Sequence, residues 1–186
     1  MKKVLILNGS PRKKGSTALL AQEAARALHD AGIETETVFL NEVAIKGCQA
    51  CFWCKKNAVA ECAVKDGMQD LHKKIKECDG VIVASPIYFG NVTAQTTLWL
   101  NRMYPYLNMD LSSRLPPGKK ISFIFAQGNP DPAAFRPVTD IFVWALGVTG
   151  FEVRDRMLGC GLDPDHIGEN KALMEQAYSL GKNLLA

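Results

Sequence analysis

A polar segment near the start of the chain has the residue types of an anion-binding loop. Residues 8–17 follow the apolar residues 4–7 and precede a helical pattern, so their backbone N–H groups would meet the positive end of a helix dipole. The first helical turn carries no carboxylate, which suits a bound anion. The segment alone equally allows a surface turn in which Ser16 caps the helix. The residues that would hold a phosphate are Ser10, Arg12, Gly15, Ser16 and Thr17.

A phosphate bound in this loop would belong to a mononucleotide. The segment lacks the Gly-Lys-Ser/Thr ending of a Walker loop, and the chain has no Gly-x-Gly-x-x-Gly motif for a dinucleotide. A mononucleotide therefore fits better than NAD as the resident ligand.

A second segment, residues 85–91, has the composition of a loop that holds a flat aromatic ligand. It follows an apolar strand pattern, at the place where doubly wound sheets bind ligands. A flavin ring needs backbone donors at its pyrimidine edge and an apolar wall against its face. The alternative is a hydrophobic turn packed on the core. The candidate ring-binding residues are Pro86, Ile87, Tyr88, Phe89, Gly90 and Asn91, with Gly128 in a third loop at residues 126–129.

Four of the six cysteines lie close together in the sequence, at Cys48, Cys51, Cys54 and Cys62. Successive cysteines are separated by two, two and seven residues. Three thiolates at this spacing can converge from one tight loop, and the fourth can close a cuboidal iron–sulfur cluster. The pattern differs from the paired Cys-x-x-Cys motifs of structural zinc sites. Plain thiols or structural packing remain the alternative.

The remaining composition limits the class of protein. A chain of 186 residues with 47% apolar and 22% charged residues suits one soluble domain, and a net charge of +3 is too small to indicate nucleic acid or an anionic membrane as partner. The apolar run at residues 4–7 is too short for a secretory signal, so we expect a cytoplasmic protein. We expect Cys78 and Cys160 to be structural, and we assign no role to three histidines on polar helix faces: His29, His72 and His166.

The hydrophobic patterns predict an α/β fold. Residues 4–7, 81–84 and 121–126 are apolar on both faces, as central parallel strands require, whereas residues 36–40 and 151–154 alternate, as edge strands do. Together they predict a doubly wound five-stranded parallel sheet of order 2-1-3-4-5 in three α/β/α layers. Residues 45–65 form an insertion that carries the four cysteines.

Helical patterns fill the intervals between these strands. They begin near Ser16, at a capping box of Asp66 with Gln69, after Asn91 as cap, and at Asp131-Pro132, and a last one lies near the end of the chain. Gly32 and Gly147 are expected to end the first and fourth of these helices.

The phosphate and ring segments resemble those of the NAD(P)H-dependent FMN reductase superfamily, within the flavodoxin-like proteins. The likeness is carried by residues 9–12 and 15–17, and by Ser-Pro-x-Tyr-x-Gly at residues 85–90. The departures are Ser16 for a more frequent Asn, Thr97 for a frequent Lys, and Asn101-Arg102 for Asp-Arg. The resemblance implies resident FMN, NAD(P)H as transient donor, and no catalytic side chain, because flavin N5 carries the chemistry. It also implies a homodimer or homotetramer, for which the aromatic segment from Trp99 to Tyr106 is a candidate contact.

The cysteine segment resembles the iron–sulfur flavoprotein branch of this superfamily, whose members hold a [4Fe-4S] cluster beside FMN. Residues 62–68 continue the likeness, with Gly67 in place of a usual acidic residue. In this branch the metal ligands would be Cys48, Cys51, Cys54 and Cys62.

Three functional hypotheses follow. In the first, a cluster relays electrons between FMN and a ferredoxin-like or small-molecule carrier. In the second, a cluster-free enzyme uses NAD(P)H to reduce quinones, azo compounds, nitro compounds or free flavin. In the third, the protein is a non-enzymatic electron carrier of the flavodoxin type.

Overall fold

The computed structural model describes residues 1–57, 59–161 and 167–186. Five strands run parallel in the order β2-β1-β3-β5-β6, and the short β4 pairs antiparallel with the end of β3. Setting β4 aside, this is the expected order 2-1-3-4-5. The strands in chain order are β1 (Lys3–Asn8), β2 (Glu34–Phe39), β3 (Gly80–Tyr88), β4 (Asn91–Val92), β5 (Lys120–Ala126) and β6 (Glu152–Gly159).

Helices cover both faces of the sheet. On one face, α1 and α6 bury Leu20 and Leu180 in a cluster with Ile82 of the sheet. On the other face, α3, α4 and α5 bury residues such as Trp99 and Phe142 against the opposite side chains of the same strands. The predicted three-layer, flavodoxin-like fold is confirmed. The helices are α1 (Ser16–Asp30), α2 (Trp53–Lys56), α3 (Met68–Glu77), α4 (Ala94–Asn101), α5 (Arg136–Val148) and α6 (Lys171–Asn183).

The edge strands have the partial burial that their alternating patterns predict. β2 is half-buried except at Glu34 and Thr37, which are exposed, and the first five residues of β6 are exposed. β6 extends to Gly159, well beyond the expected residues 151–154, and its later residues from Met157 to Gly159 are more deeply covered. This longer pairing with β5 carries the chain toward the candidate ligand loops.

Two expected helix starts are wrong, whereas the first helix begins at Ser16 as expected. Asp66 and Gln69 form one half of the expected capping box, since the Asp66 N–H donates to Gln69 Oε1 at 2.8 Å, whereas Asp66 Oδ1 accepts from the Met68 N–H at 3.0 Å. Asn91 does not cap α4, because it is part of β4, and Thr93 takes that position. α5 begins at Arg136, because the chain at Asp131 first forms a separate turn.

The segment from Trp99 to Tyr106 is not a free aromatic helix. α4 ends at Asn101, a short 3-10 turn follows at Tyr104–Tyr106, and Trp99 and Tyr106 are fully buried in the chain's own core. The expectation that these two rings serve a subunit contact is therefore wrong. Among the residues that the structure describes, no helix combines the length and apolarity needed to cross a bilayer.

Candidate functional site

Gly9 joins the end of β1 to the neighbouring strand and to the start of α4. Its N–H donates to the Ala84 carbonyl at 2.8 Å, and its own carbonyl accepts from Thr93 Oγ1 at 2.8 Å. A Cβ at this position would lie 1.9 Å from Thr96 Oγ1. Glycine is therefore required, and the candidate phosphate loop starts from a fixed point of the fold.

The rest of this loop folds on itself and leaves the start of α1 open. The Ser10 N–H donates to Asn8 Oδ1 at 2.9 Å, and Ser10 Oγ accepts from the Arg12 N–H at 3.2 Å. Gly15 is the N-cap of α1, without a side-chain cap bond, and the first turn contains no acidic residue. Ser16 is thus not the cap, and the positive end of the helix dipole is free for an external anion.

The second loop is a two-residue hairpin turn between β3 and β4. Tyr88 pairs with Asn91, and the two central residues both have positive φ, 50° at Phe89 and 81° at Gly90. Two successive left-handed residues define a type I′ turn, which usually has Asn or Asp where Phe89 stands. The turn leaves Phe89 completely exposed and Tyr88 42% exposed beside the end of the sheet.

The tertiary structure brings the three predicted loops to one cavity. Of the residues expected from sequence, Gly15, Phe89, Gly90 and Asn91 do not line it. Gly15 instead caps α1, and the other three form the hairpin turn and β4. The lining residues are Ser10, Arg12, Ser16, Thr17, Pro86, Ile87, Tyr88, Ala126, Gln127 and Gly128.

Gln127 is a site residue that the sequence patterns missed. Its Nε2 donates to the carbonyls of Asn129 at 3.1 Å and Asp131 at 2.7 Å, which fixes the orientation of the amide. Its Oε1 is then buried without a hydrogen-bond partner in the part of the chain that the structure describes. The only sequence signal was its place beside Gly128. With hydroxyl and guanidinium donors at one end and Ile87 and Tyr88 at the other, the cavity residues fit FMN.

The four clustered cysteines line a second, mainly apolar cavity. Cys48 and Cys51 are exposed, Cys62 is half-buried and Cys54 is buried, and burial raises the pKa of the Cys54 thiol. The loop reverses direction at Ala50 and Phe52, which have φ values of 49° and 56°. These reversals let cysteines three residues apart face the same space.

Arg102 closes the base of the cysteine loop. Its Nη1 lies 2.6 Å from Asp66 Oδ2 and 2.7 Å from the Lys46 carbonyl, and its Nη2 donates to the Val64 carbonyl at 3.0 Å. Lys46 and Val64 lie at the two ends of the insertion, so one side chain ties both ends to α4. The sequence patterns did not predict this role, since Asn101-Arg102 stands out in the sequence only as a departure from the Asp-Arg of the family.

Two further cations hold the middle of the loop. Arg114 Nη1 donates to the carbonyls of Cys54 at 2.8 Å and Val59 at 3.1 Å. Lys55 Nζ donates to the carbonyls of Tyr104 and Leu107, and burial lowers the pKa of this amine. The cysteine loop is therefore held by the positively charged side chains of Arg114 and Lys55, whose charge would offset the negative charge of thiolate ligands.

The donor set fits a cluster better than a single ion. In the described residues, no three His, Cys, Asp or Glu side chains converge closely enough to hold one metal ion. The cavity nevertheless has four thiols and no carboxylate or imidazole in its lining. A multinuclear cluster takes one thiolate per iron and so needs its ligands farther apart. The cysteine residues fit such a cluster.

Neither cavity is lined by His29, His72, Cys78 or Cys160. His72 is buried, contrary to the expectation of a polar helix face, with Nδ1 3.1 Å from Tyr106 Oη. Burial lowers the pKa of His72 to about 4. His29 is exposed, and His166 lies outside the described residues. As expected for a packing role, Cys78 is buried, whereas Cys160 is half-buried.

Comparisons with known proteins agree with this fold. The family model described as NADPH-dependent FMN reductase matches residues 2–128. An iron–sulfur flavoprotein of Archaeoglobus fulgidus is 32% identical over 185 residues, which cover 99% of this chain and 79% of that protein. One from Methanocaldococcus jannaschii is 41% identical over 103 residues, covering 55% of this chain and 52% of that protein. This chain therefore spans about half the length of the latter relative.

Among solved structures, an NAD(P)H:quinone oxidoreductase from Methanothermobacter marburgensis has a TM-score of 0.80 and covers 100% of this chain and 98% of its own. Its sequence identity is 16%, so the likeness concerns the fold alone. The fold is that of the flavodoxin-like proteins. The chain belongs to the NADPH-dependent FMN reductase family, in its iron–sulfur flavoprotein branch.

Proposed function

We propose that this chain is a single FMN-binding domain that exchanges electrons between NAD(P)H or a reduced carrier and a small or protein acceptor, with a [4Fe-4S] cluster at Cys48, Cys51, Cys54 and Cys62. Bound FMN supplies hydride and single-electron chemistry at N5, and a bound cluster supplies single-electron transfer. The observation that carries the proposal is the meeting of four thiols at one apolar cavity in a chain with a separate mononucleotide cavity.

In this proposal the protein's own residues bind FMN and orient its ring. Ser10, Ser16, Thr17 and Arg12 would bind the phosphate at the open start of α1, where no carboxylate competes. Pro86, Ile87 and Tyr88 would hold the ring, with Phe89, Gly90 and Asn91 shaping the turn beside it. No side chain is needed as nucleophile or general acid.

Iron analysis of cysteine variants tests the cluster. We expect the anaerobically purified protein to contain about four iron and four acid-labile sulfide per chain, with a broad charge-transfer band beneath the flavin bands. C54S should lose the iron while keeping FMN. C160S is the matched control, because Cys160 lies outside the cysteine cavity, and it should keep both. A wild-type protein with flavin bands and no iron would contradict the cluster.

The second candidate is a cluster-free NAD(P)H-dependent reductase of quinones, azo compounds, nitro compounds or flavin. It is favoured by the exposure of Cys48 and Cys51, whose thiols are not packed in the core. NAD(P)H oxidation with a quinone acceptor by iron-free protein would support it. The absence of turnover with either nicotinamide would instead favour a non-enzymatic carrier.

The proposal also includes cytoplasmic location and assembly into a homodimer or homotetramer. Apolar side chains on α5 support self-association, since Ile141 is 65% and Trp144 is 68% exposed in the isolated chain. Analytical ultracentrifugation of the FMN-loaded protein tests the assembly. A monomer at all concentrations would contradict it.

A further inference from the structure

Arg102 is the charged residue that lines the cysteine cavity. Its side chain is fully buried, and its ion-pair partner Asp66 is only 6% exposed. Burial is the largest influence and by itself would lower the pKa of Arg102, but the hydrogen bond and ion pair with Asp66 and the neighbouring Cys62 together raise it. A permanent positive charge therefore lies beside one of the proposed ligands.

Three of the five guanidinium N–H groups have partners, and the Nε–H and one Nη2–H remain. Nη1 and Nη2 are used by Asp66 and by the carbonyls of Lys46 and Val64. The Nε–H is buried and has no partner among the described residues. A buried donor without an acceptor destabilises the fold, so such a group marks a missing partner. The cavity that Arg102 lines with the four cysteines is the place for that partner.

We propose that Arg102 is a positioning residue for the cluster, whose Nε–H donates to a cluster sulfur while its two terminal nitrogens hold the ends of the cysteine loop together. This inference rests on the proposed cluster. A positive charge and an N–H···S bond both stabilise added negative charge, so Arg102 raises the reduction potential of the cluster.

Arg114 supplies a matched comparison. It also holds the loop through the carbonyls of Cys54 and Val59, but it does not line the cysteine cavity. A purely structural brace would make the two arginines equivalent. If the Arg102 Nε–H donates to a cluster sulfur, replacing Arg102 should change properties of the cluster itself, and replacing Arg114 should not.

The test compares the holoprotein with R102K and R114K. R102K keeps the charge but removes the planar group that can bond Asp66, two carbonyls and a sulfur together. We expect R102K to lower the reduction potential of the cluster and alter its EPR spectrum, or to lose iron while FMN is retained. R114K should keep the wild-type potential and spectrum. Equal effects of both variants, or a wild-type potential in R102K, would overturn the inference.

A measurement on wild-type protein makes the test independent of variant folding. Protein labelled with ¹⁵N-arginine should show a ¹⁵N coupling to the reduced cluster in pulsed EPR, and the coupling should persist in R114K. A reduced cluster without this coupling would refute the Nε–H···S bond. Wild-type protein that holds no iron would instead refute the proposed function, so the two failures are distinguishable.

Discussion

Phe89 is a large aromatic residue held in a left-handed backbone conformation at the tip of the hairpin beside the flavin cavity. A non-glycine residue with positive φ is uncommon, and a bulky one costs about 1–2 kcal/mol. Its complete exposure means that no packing within the chain repays this cost. Strain of this kind collects at functional sites, which supports a role for the ring of Phe89 in ligand contact.

Replacing Phe89 with Asn should stabilise the apoprotein and at the same time weaken FMN binding. Asn suits the first central position of a type I′ turn, so F89N should raise the free energy of unfolding of the apoprotein by about 1 kcal/mol. Loss of the aromatic surface should weaken FMN binding by about fivefold. Urea unfolding and flavin fluorescence titration measure the two effects.

Leu111 provides the control for this exchange, because it also has a positive φ of 65° and is exposed, but it is not part of the hairpin beside the candidate FMN cavity. L111N should gain similar stability and leave FMN binding unchanged. A loss of stability in F89N would show that the turn is not strained.

Gly9 should tolerate no side chain. A methyl group would overlap Thr96 Oγ1 and also approach Thr93 Oγ1 to 2.9 Å, so G9A should lower the free energy of unfolding by about 1–3 kcal/mol and weaken FMN binding. G168A is the control, because a Cβ there meets nothing within 4 Å. Equal urea midpoints for G9A and wild type would contradict the close approach.

At the scale of elements, α3 links the cysteine loop to the core. Its start is fixed by Asp66 and Gln69, and Gln69 Nε2 also donates to the Cys62 carbonyl at 3.2 Å and the Val64 carbonyl at 2.7 Å. One turn later, His72 packs against Tyr106. The same helix thus supports the loop on its first turn and buries a titratable group on its inner face.

His72 should make the fold sensitive to mild acid. Its folded pKa of about 4 lies below the ordinary value because of burial, reinforced by Arg102 and Lys76 and opposed by Asp66. The unfolded chain therefore binds the proton first, and stability falls as the pH drops from about 6.5 toward 4. From pH 7 to pH 5 the loss should be about 2 kcal/mol.

Urea unfolding at pH 5, 6 and 7 measures this dependence. H72Q should flatten it, whereas H29Q, which changes an exposed histidine, should keep it. The pKa of Asp66 is held below its usual range despite its burial, because Arg102 and two backbone N–H groups stabilise the carboxylate. The stability that Asp66 contributes is therefore lost only at lower pH than that of His72. If the free energy of unfolding of H72Q fell between pH 7 and pH 5 as steeply as that of the wild type, His72 would not be the group responsible.

At the scale of the whole molecule, the sheet order determines where chemistry can occur. β1, β3 and β5 are neighbours, and their carboxyl ends place the three candidate FMN loops along one edge. The cysteine loop lies apart from these strands and is attached to α4 and to the segment around Tyr104. Two cavities of different chemistry therefore share one scaffold.

Ligand-dependent unfolding should report on the phosphate loop. A ligand at one hundred times its dissociation constant stabilises the folded state by about 2.7 kcal/mol. FMN should therefore raise the unfolding temperature of the apoprotein more than riboflavin does at equal concentration, and R12Q should narrow the difference. Scanning calorimetry measures both shifts, and equal shifts with FMN and riboflavin would argue against a phosphate site.

The sequence by itself determined the layered α/β fold and the loops that carry the chemistry. Runs of apolar residues such as 81–84 and 121–126 identify buried parallel strands, and the order of such strands restricts ligand loops to their carboxyl ends. The cysteine spacing and the polar segment before α1 are likewise local patterns. Local patterns can be read without coordinates because one stretch of chain contains all their members.

Only the tertiary structure decided which distant groups complete each site. Arg102 lies 36 residues from Asp66, Arg114 lies 60 residues from Cys54, and His72 meets Tyr106 across 34 residues. Each of these contacts depends on how helices and loops pack after the sheet has formed, and no residue type or spacing marks them in advance. The same packing buries Trp99 and Tyr106, which the sequence analysis predicted as candidates for a subunit contact.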